Sequence, residues 1–139
     1  MQNLYTGTAT AVGGRNGKVV SSDQVISLDL TMPKALGGSG AHGTNPEQLF
    51  AAGYSACFDG AVGLALRQKG IKAEGTKVTA HVTIGKTEDG GYALAAELDV
   101  TIVGVTPEVA REIAEAAHQI CPYSKATRGN IDVKIKLVE

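Results

Sequence analysis

Two thiols, one guanidinium and one carboxylate are the groups of this 139-residue chain whose types and surroundings could do chemistry. Cys57 lies in an apolar run between Ala56 and Phe58, and Cys121 opens the segment Cys121-Pro122-Tyr123-Ser124. A cysteine with apolar neighbours behaves as a small core residue unless something ionises it. The residues alone therefore leave Cys57 as either packing material or a nucleophile. Two features favour the nucleophile. Cys121 falls at a helix end, where the backbone shifts more easily than in mid-helix. Arg15 and Glu47 offer a pair of charges in a chain whose central helix is otherwise nearly uncharged. The plain alternative for Arg15 is a solvated hairpin tip, because it stands immediately before Asn16-Gly17.

Other chemistries find little support. His42, His81 and His118 are scattered, and neither cysteine has a ligand neighbour at metal spacing, so no metal and no cofactor is expected. No G-x-S-x-G and no Ser-His-Asp pattern is present. Gly38, Gly40 and Gly43 spell G-x-G-x-x-G, but a dinucleotide loop needs a strand directly before it. Here Met32-Pro33-Lys34 intervenes, and Asp59, at the offset of the ribose-binding acid, falls inside a helix. A net charge of −1 argues against nucleic acid or an anionic membrane as partner. No uninterrupted apolar run reaches the ~18 residues of a membrane span. The N-terminus has neither the basic segment nor the apolar stretch of a signal peptide, so a cytoplasmic setting with reduced cysteines is expected.

The elements that must position these groups are legible in outline. The length predicts one domain over 1–139. Residues 4–31 read as strands, with a hairpin at Asn16-Gly17 and a half-buried strand over Val25–Leu30. Residues 37–43 form a glycine-rich loop. A long helix follows, capped by Asn45 or Thr44, with Pro46 first, Thr44-x-x-Glu47 as a capping box, and Gly70 as its stop. It is apolar nearly all round, which predicts complete burial, and would be ~35 Å long. Thr76–Lys86 and Tyr92–Val103 alternate as a long hairpin. Thr106-Pro107 opens a second helix that Pro122 ends, and Ile131–Leu137 is a closing strand. Strands, helix, hairpin, helix and strand in that order predict an α+β fold with a mostly antiparallel sheet.

Three separated stretches carry a family likeness. Thr44-Asn45-Pro46-Glu47-Gln48-Leu49-Phe50-Ala51-Ala52-Gly53-Tyr54-Ser55-Ala56-Cys57-Phe58 resembles the signature of the organic hydroperoxide resistance family of thiol peroxidases, within the superfamily named for osmotically inducible protein C. Ala11-Val12-Gly13-Gly14-Arg15-Asn16-Gly17 and Ile120-Cys121-Pro122-Tyr123-Ser124 resemble its other two motifs, and the likeness covers essentially the whole chain. The resemblance implies that Cys57 is the peroxidatic cysteine and Cys121 the resolving one, with Arg15 and Glu47 as the activating pair. It implies mostly antiparallel sheets wrapped around long central helices in an intertwined homodimer. It also implies alkyl and fatty-acid hydroperoxides as substrates and lipoyl dithiols as reductant. The neighbouring osmotically induced branch and a non-catalytic redox sensor are the alternatives.

Physical requirements follow from those roles. Burial in an apolar helix raises a thiol pKa, so ionising Cys57 needs a cation, and Arg15 is permanently charged. A buried guanidinium is costly unless paired, which gives Glu47 its task. Ten residues of one helix would hold Glu47 and Cys57 about 15 Å apart along the axis and on different faces. Arg15 and Glu47 of one protomer are therefore expected to meet Cys57 of the other. An organic substrate needs an apolar pocket, for which Leu36, Phe50, Phe58, Ile120 and Tyr123 are candidates.

Overall fold

The computed structural model describes residues 1–139, which divide into two compact units, Met1–Leu49 and Phe50–Glu139. In the first unit, strands β1 (Ala9–Val12), β2 (Lys18–Ser21) and β3 (Ser27–Asp29) form an antiparallel sheet in that order. Residues 4–8 are not strand. The β1–β2 connection forms, but not as a two-residue turn at Asn16-Gly17. Val12 pairs with Lys18, and Gly14–Asn16 make a turn of 3-10 helix between them. Gly13 enters that turn at φ 82°, a left-handed conformation that favours glycine. The Asn16 side chain is used elsewhere, accepting the Met32 N–H at 3.1 Å.

Val25, Ile26 and Leu28 are exposed rather than half-buried, at 83, 40 and 44%, and only Leu30 is covered. Alternation marks a face that can be buried; it does not supply the layer that buries it. The glycine-rich loop brings backbone against backbone. Thr31 N–H donates to the Thr44 carbonyl at 2.9 Å and Thr44 N–H to Asp29 at 2.8 Å. A Cβ on Gly43 would run into the Thr31 side chain. This glycine serves a close passage of the chain, not a phosphate.

Helix α1 runs from Pro46 to Gln68. Asn45 caps it, its side-chain oxygen accepting the Gln48 N–H at 2.8 Å. The Thr44–Glu47 capping box does not form: Thr44 donates instead to the Gln48 side chain at 3.0 Å, and Glu47 turns outward to Arg15. Gly70 ends the helix as expected, at φ 65°, with Ile71 N–H bonded to Leu66 and Gly70 N–H to Arg67.

In the second unit, β4 (Gly75–Lys86) and β5 (Tyr92–Val103) are a full-length antiparallel hairpin. Strand β6 (Val133–Leu137) joins β5 in parallel, giving the order β4-β5-β6. Helix α2 spans Pro107–Ile120, its first turn capped by the Thr106 hydroxyl, which accepts from Val109 N–H at 3.3 Å. Pro122 does not only stop α2. It opens a further short helix, α3 (Pro122–Thr127), because proline suits the first helical position as well as it blocks an interior one.

The core of this unit gathers Tyr54, Phe58, Val62 and Leu66 of α1, Leu98 and Val100 of β5, Ile113 and Ala117 of α2, and Cys121. By length and apolar composition α1 would also pass as a bilayer-crossing helix; here it is a core helix. It is not buried all round: Ala52, Ala56 and Gly60 are exposed within the single chain. One chain covers one face of this helix, so its uniformly apolar surface is only half used.

Candidate active site

The two cysteines meet. Cys57 sits in the fourth turn of α1 and Cys121 in the extended link between α2 and α3, and their sulfurs are 3.6 Å apart, both as free thiols. Cys121 has no solvent-exposed surface, whereas Cys57 is half-buried. Burial pushes the Cys57 thiol above its usual pKa. A hydrogen bond from the Tyr123 backbone amide pulls it the other way, and the neighbouring Cys121 thiol adds to the rise. None of these influences is a cation.

The segment after Cys121 lies directly over α1. Tyr123 packs edge-on to Phe50 and tilted on Tyr54, with ring centroids 6.2 and 5.8 Å apart. The approach is tight: a Cβ on Gly53 would lie 2.7 Å from the Tyr123 hydroxyl and 3.1 Å from its ring. Beneath this, the Tyr54 hydroxyl bonds Ser124 and Thr127 in the buried interior. Tyr54, Ser124 and Thr127 are not among the site residues expected from the sequence. The usable signal was Pro122-x-Ser124-x-x-Thr127, a proline-opened turn with hydroxyls on one helical face.

In the first unit, Arg15 and Glu47 form a bidentate ion pair, Nη1 to Oε2 at 2.8 Å and Nη2 to Oε1 at 2.7 Å. Arg15 is thus no free hairpin tip; the 3-10 turn aims it at the start of α1. The hydrogen bond from Arg15 lowers the Glu47 pKa against an opposing effect of burial, and Glu47 in turn raises that of Arg15. Both groups stay charged, and the fork geometry fixes the guanidinium plane. Since the folded Glu47 pKa is depressed, the pair's contribution to stability is complete above the ordinary carboxylate range. It is lost as the pH falls through the lower, folded value. Arg15 keeps 28% of its side-chain surface exposed, so the contribution is on the order of 1 kcal/mol. Thermal melts taken from neutral to acid pH should lose that increment in the wild type and not in Glu47→Gln.

The proposed pocket residues separate by environment. Phe58 is fully enclosed in the core, and Ile120 and Phe50 pack against that core half-buried. Tyr123 is 39% exposed, and Leu36, in a 3-10 turn of the first unit, 37%. The histidines stay apart: His81 pairs with Asp99 at 2.8 Å, and the His118 carbonyl accepts from Arg128 at 2.7 Å.

Residues 37–136 match the family model described as OsmC-like protein. The chain is 50% identical to the organic hydroperoxide resistance protein OhrA of Bacillus subtilis (strain 168), with 99% of each chain covered. It is 47% identical to the organic hydroperoxide resistance protein of Xanthomonas axonopodis pv. citri, over 96% of this chain and 94% of that one. The crystal structure of an organic hydroperoxide resistance protein from Elizabethkingia anophelis superposes with a TM-score of 0.94 at 52% identity, covering 100% of this chain and 99% of that one. The α+β architecture, the three motifs and these similarities agree: the chain belongs to the OsmC-like family, among its organic hydroperoxide resistance proteins.

Proposed function

We propose that the chain is a cysteine-based peroxidase that reduces organic hydroperoxides to alcohols, with Cys57 as nucleophile and Cys121 as resolving thiol. The observation that carries this reading is the contact of two free thiols 3.6 Å apart, one enclosed in the core and the other part-open. The relatives' names, which speak of organic hydroperoxide resistance, supply the class of oxidant.

The Cys57 thiolate attacks one peroxide oxygen, the O–O bond breaks, and the alkoxide leaves to take a proton as the alcohol. Cys57 becomes a sulfenic acid. The Cys121 thiol then displaces water from it to give a Cys57–Cys121 disulfide. An external dithiol, a lipoyl group by family resemblance, exchanges with that disulfide and restores both thiols.

Attack needs a thiolate, and burial alone opposes one. Arg15, held charged and oriented by Glu47, is the cation for that task, and its N–H groups would also stabilise the leaving alkoxide. Helix α1 is unbroken from Pro46 to Gln68, so ten residues, about 15 Å of helix, separate Glu47 from Cys57 along one chain. The active unit is therefore a homodimer in which Arg15 and Glu47 of one copy serve Cys57 of the other. The second copy would also cover the α1 face that carries Ala52, Ala56 and Gly60. Leu36, Phe50, Phe58, Ile120 and Tyr123 are the candidates for contact with the organic group. The setting is cytoplasmic, where reducing dithiols are at hand.

The test compares a bulky organic hydroperoxide with hydrogen peroxide in a dithiol-coupled assay. Apolar contacts worth a few kcal/mol should favour the organic substrate by at least about a hundredfold in kcat/KM. Equal rates on the two would remove the pocket from the mechanism.

A further inference from the structure

The reaction as written leaves three buried hydroxyls unused. Tyr54 and Ser124 have no exposed surface and Thr127 retains 4%. The Tyr54 Oη lies 2.9 Å from Ser124 Oγ and 3.1 Å from Thr127 Oγ1, and Thr127 Oγ1 donates to the Ser124 carbonyl at 3.2 Å. Each hydroxyl has one proton to give. With Thr127 committed to the carbonyl, one assignment uses all three: Ser124 donates to Tyr54, and Tyr54 donates to Thr127. A buried polar network that satisfies itself in this way is directional, unlike apolar packing, and fixes one arrangement of the elements it joins.

What it joins to α1 is the short helix that follows Cys121. Helix α3 has six residues, too few to be stable by itself. Just before its first residue stands Cys121, whose sulfur lies 3.6 Å from that of Cys57, and its second residue, Tyr123, packs tightly over Gly53 of α1. Tyr54 and Cys57 stand three residues apart on α1, hence on one face. One end of that face thus holds the far side of α3 by hydroxyl bonds, while the other presents the nucleophile to its near side. We propose that the Tyr54–Ser124–Thr127 hydroxyl triad is a positioning device that keeps Cys121 against Cys57 and so sets how readily the two sulfurs join. It touches neither sulfur. It acts through α3, by raising the effective concentration of one thiol at the other.

This rests on the resolving role given to Cys121 above, but it can be read without peroxide. The wild-type protein and the variants Tyr54→Phe, Ser124→Ala and Ser124→Thr are equilibrated with reduced and oxidised glutathione. The Cys57–Cys121 disulfide is then quantified by thiol trapping and intact mass. Here the disulfide forms as two glutathione thiols are released from one oxidised glutathione. Tyr54→Phe and Ser124→Ala should each lower the disulfide equilibrium constant about tenfold, a rise in potential of about 30 mV. Ser124→Thr, which keeps a hydroxyl, should restore it to within about twofold. With several equivalents of organic hydroperoxide per chain, the same two losses should divert Cys57 towards sulfinic acid, a second equivalent oxidising the sulfenic acid before disulfide forms.

Folded Tyr54→Phe or Ser124→Ala protein with a wild-type equilibrium constant would overturn the proposal. So would a wild-type protein that forms no internal disulfide with glutathione. If Cys57 proved inert to hydroperoxides while the glutathione equilibrium shifted as described, the peroxidase reading would fall and the triad's role would stand.

Discussion

Cys57→Ser protein is expected to consume organic hydroperoxide no faster than buffer with dithiol, a loss on the order of 10³-fold or more, as for removal of other nucleophiles. The substitution is nearly isosteric at a half-buried position of α1, so the fold should survive it. What disappears is a group able to ionise near neutrality. A serine hydroxyl is a far weaker acid and does not form a stable bond to peroxide oxygen. Cys121→Ser should behave differently. Its first turnover should proceed at close to the wild-type rate, because Cys57 remains. Later turnovers should fail as Cys57 passes from sulfenic to sulfinic acid for want of a partner thiol. Stopped-flow consumption of substrate, read beside intact mass, separates the two variants. Without a dithiol either reading consumes one equivalent of oxidant per chain; with it, fast sustained turnover over many equivalents favours the peroxidase over a sensor that is reset slowly.

Arg15→Ala should slow attack on hydroperoxide by about 10²–10³-fold, the cost of removing one charged donor from a developing anion. The cause can be read directly in the Cys57 titration. In the chain itself burial dominates and holds the thiol protonated. Loss of the guanidinium should move the Cys57 pKa upward and shift the pH–rate profile to the alkaline side, with activity partly recovered at high pH. Arg15→Lys should recover little, since a point charge cannot reproduce the two-pronged contact with Glu47.

The location of this arginine relative to the sulfur is tested by mixing chains. An Arg15→Ala chain and a Cys57→Ser chain should each be nearly inactive at neutral pH when alone. If the site is shared between copies, the mixed dimer contains one site with both groups intact and should show about half the wild-type activity per dimer. If each chain builds its own site, mixing restores nothing.

The sequence by itself determined what depends on neighbouring residues. Gly70 ends α1 because only a left-handed residue closes that hydrogen-bond pattern, and Thr106-Pro107 starts α2 by a hydroxyl cap and a residue needing no donor. The alternation of β4 and β5 sets which face meets the core. The three motifs marked Cys57, Cys121, Arg15 and Glu47 as the residues to watch.

Tertiary structure decided the rest. Whether Pro122 only stops a helix or also starts one depends on what α3 can pack against, and its partner, Tyr54, lies 70 residues away. Arg15 and Glu47 are 32 residues apart, and no local pattern distinguishes a paired guanidinium from a solvated one. A helix apolar on every side states that all its faces can be buried. Which face the chain's own sheet and helices cover, and which it leaves open, follows only from the packing of elements that are distant in sequence.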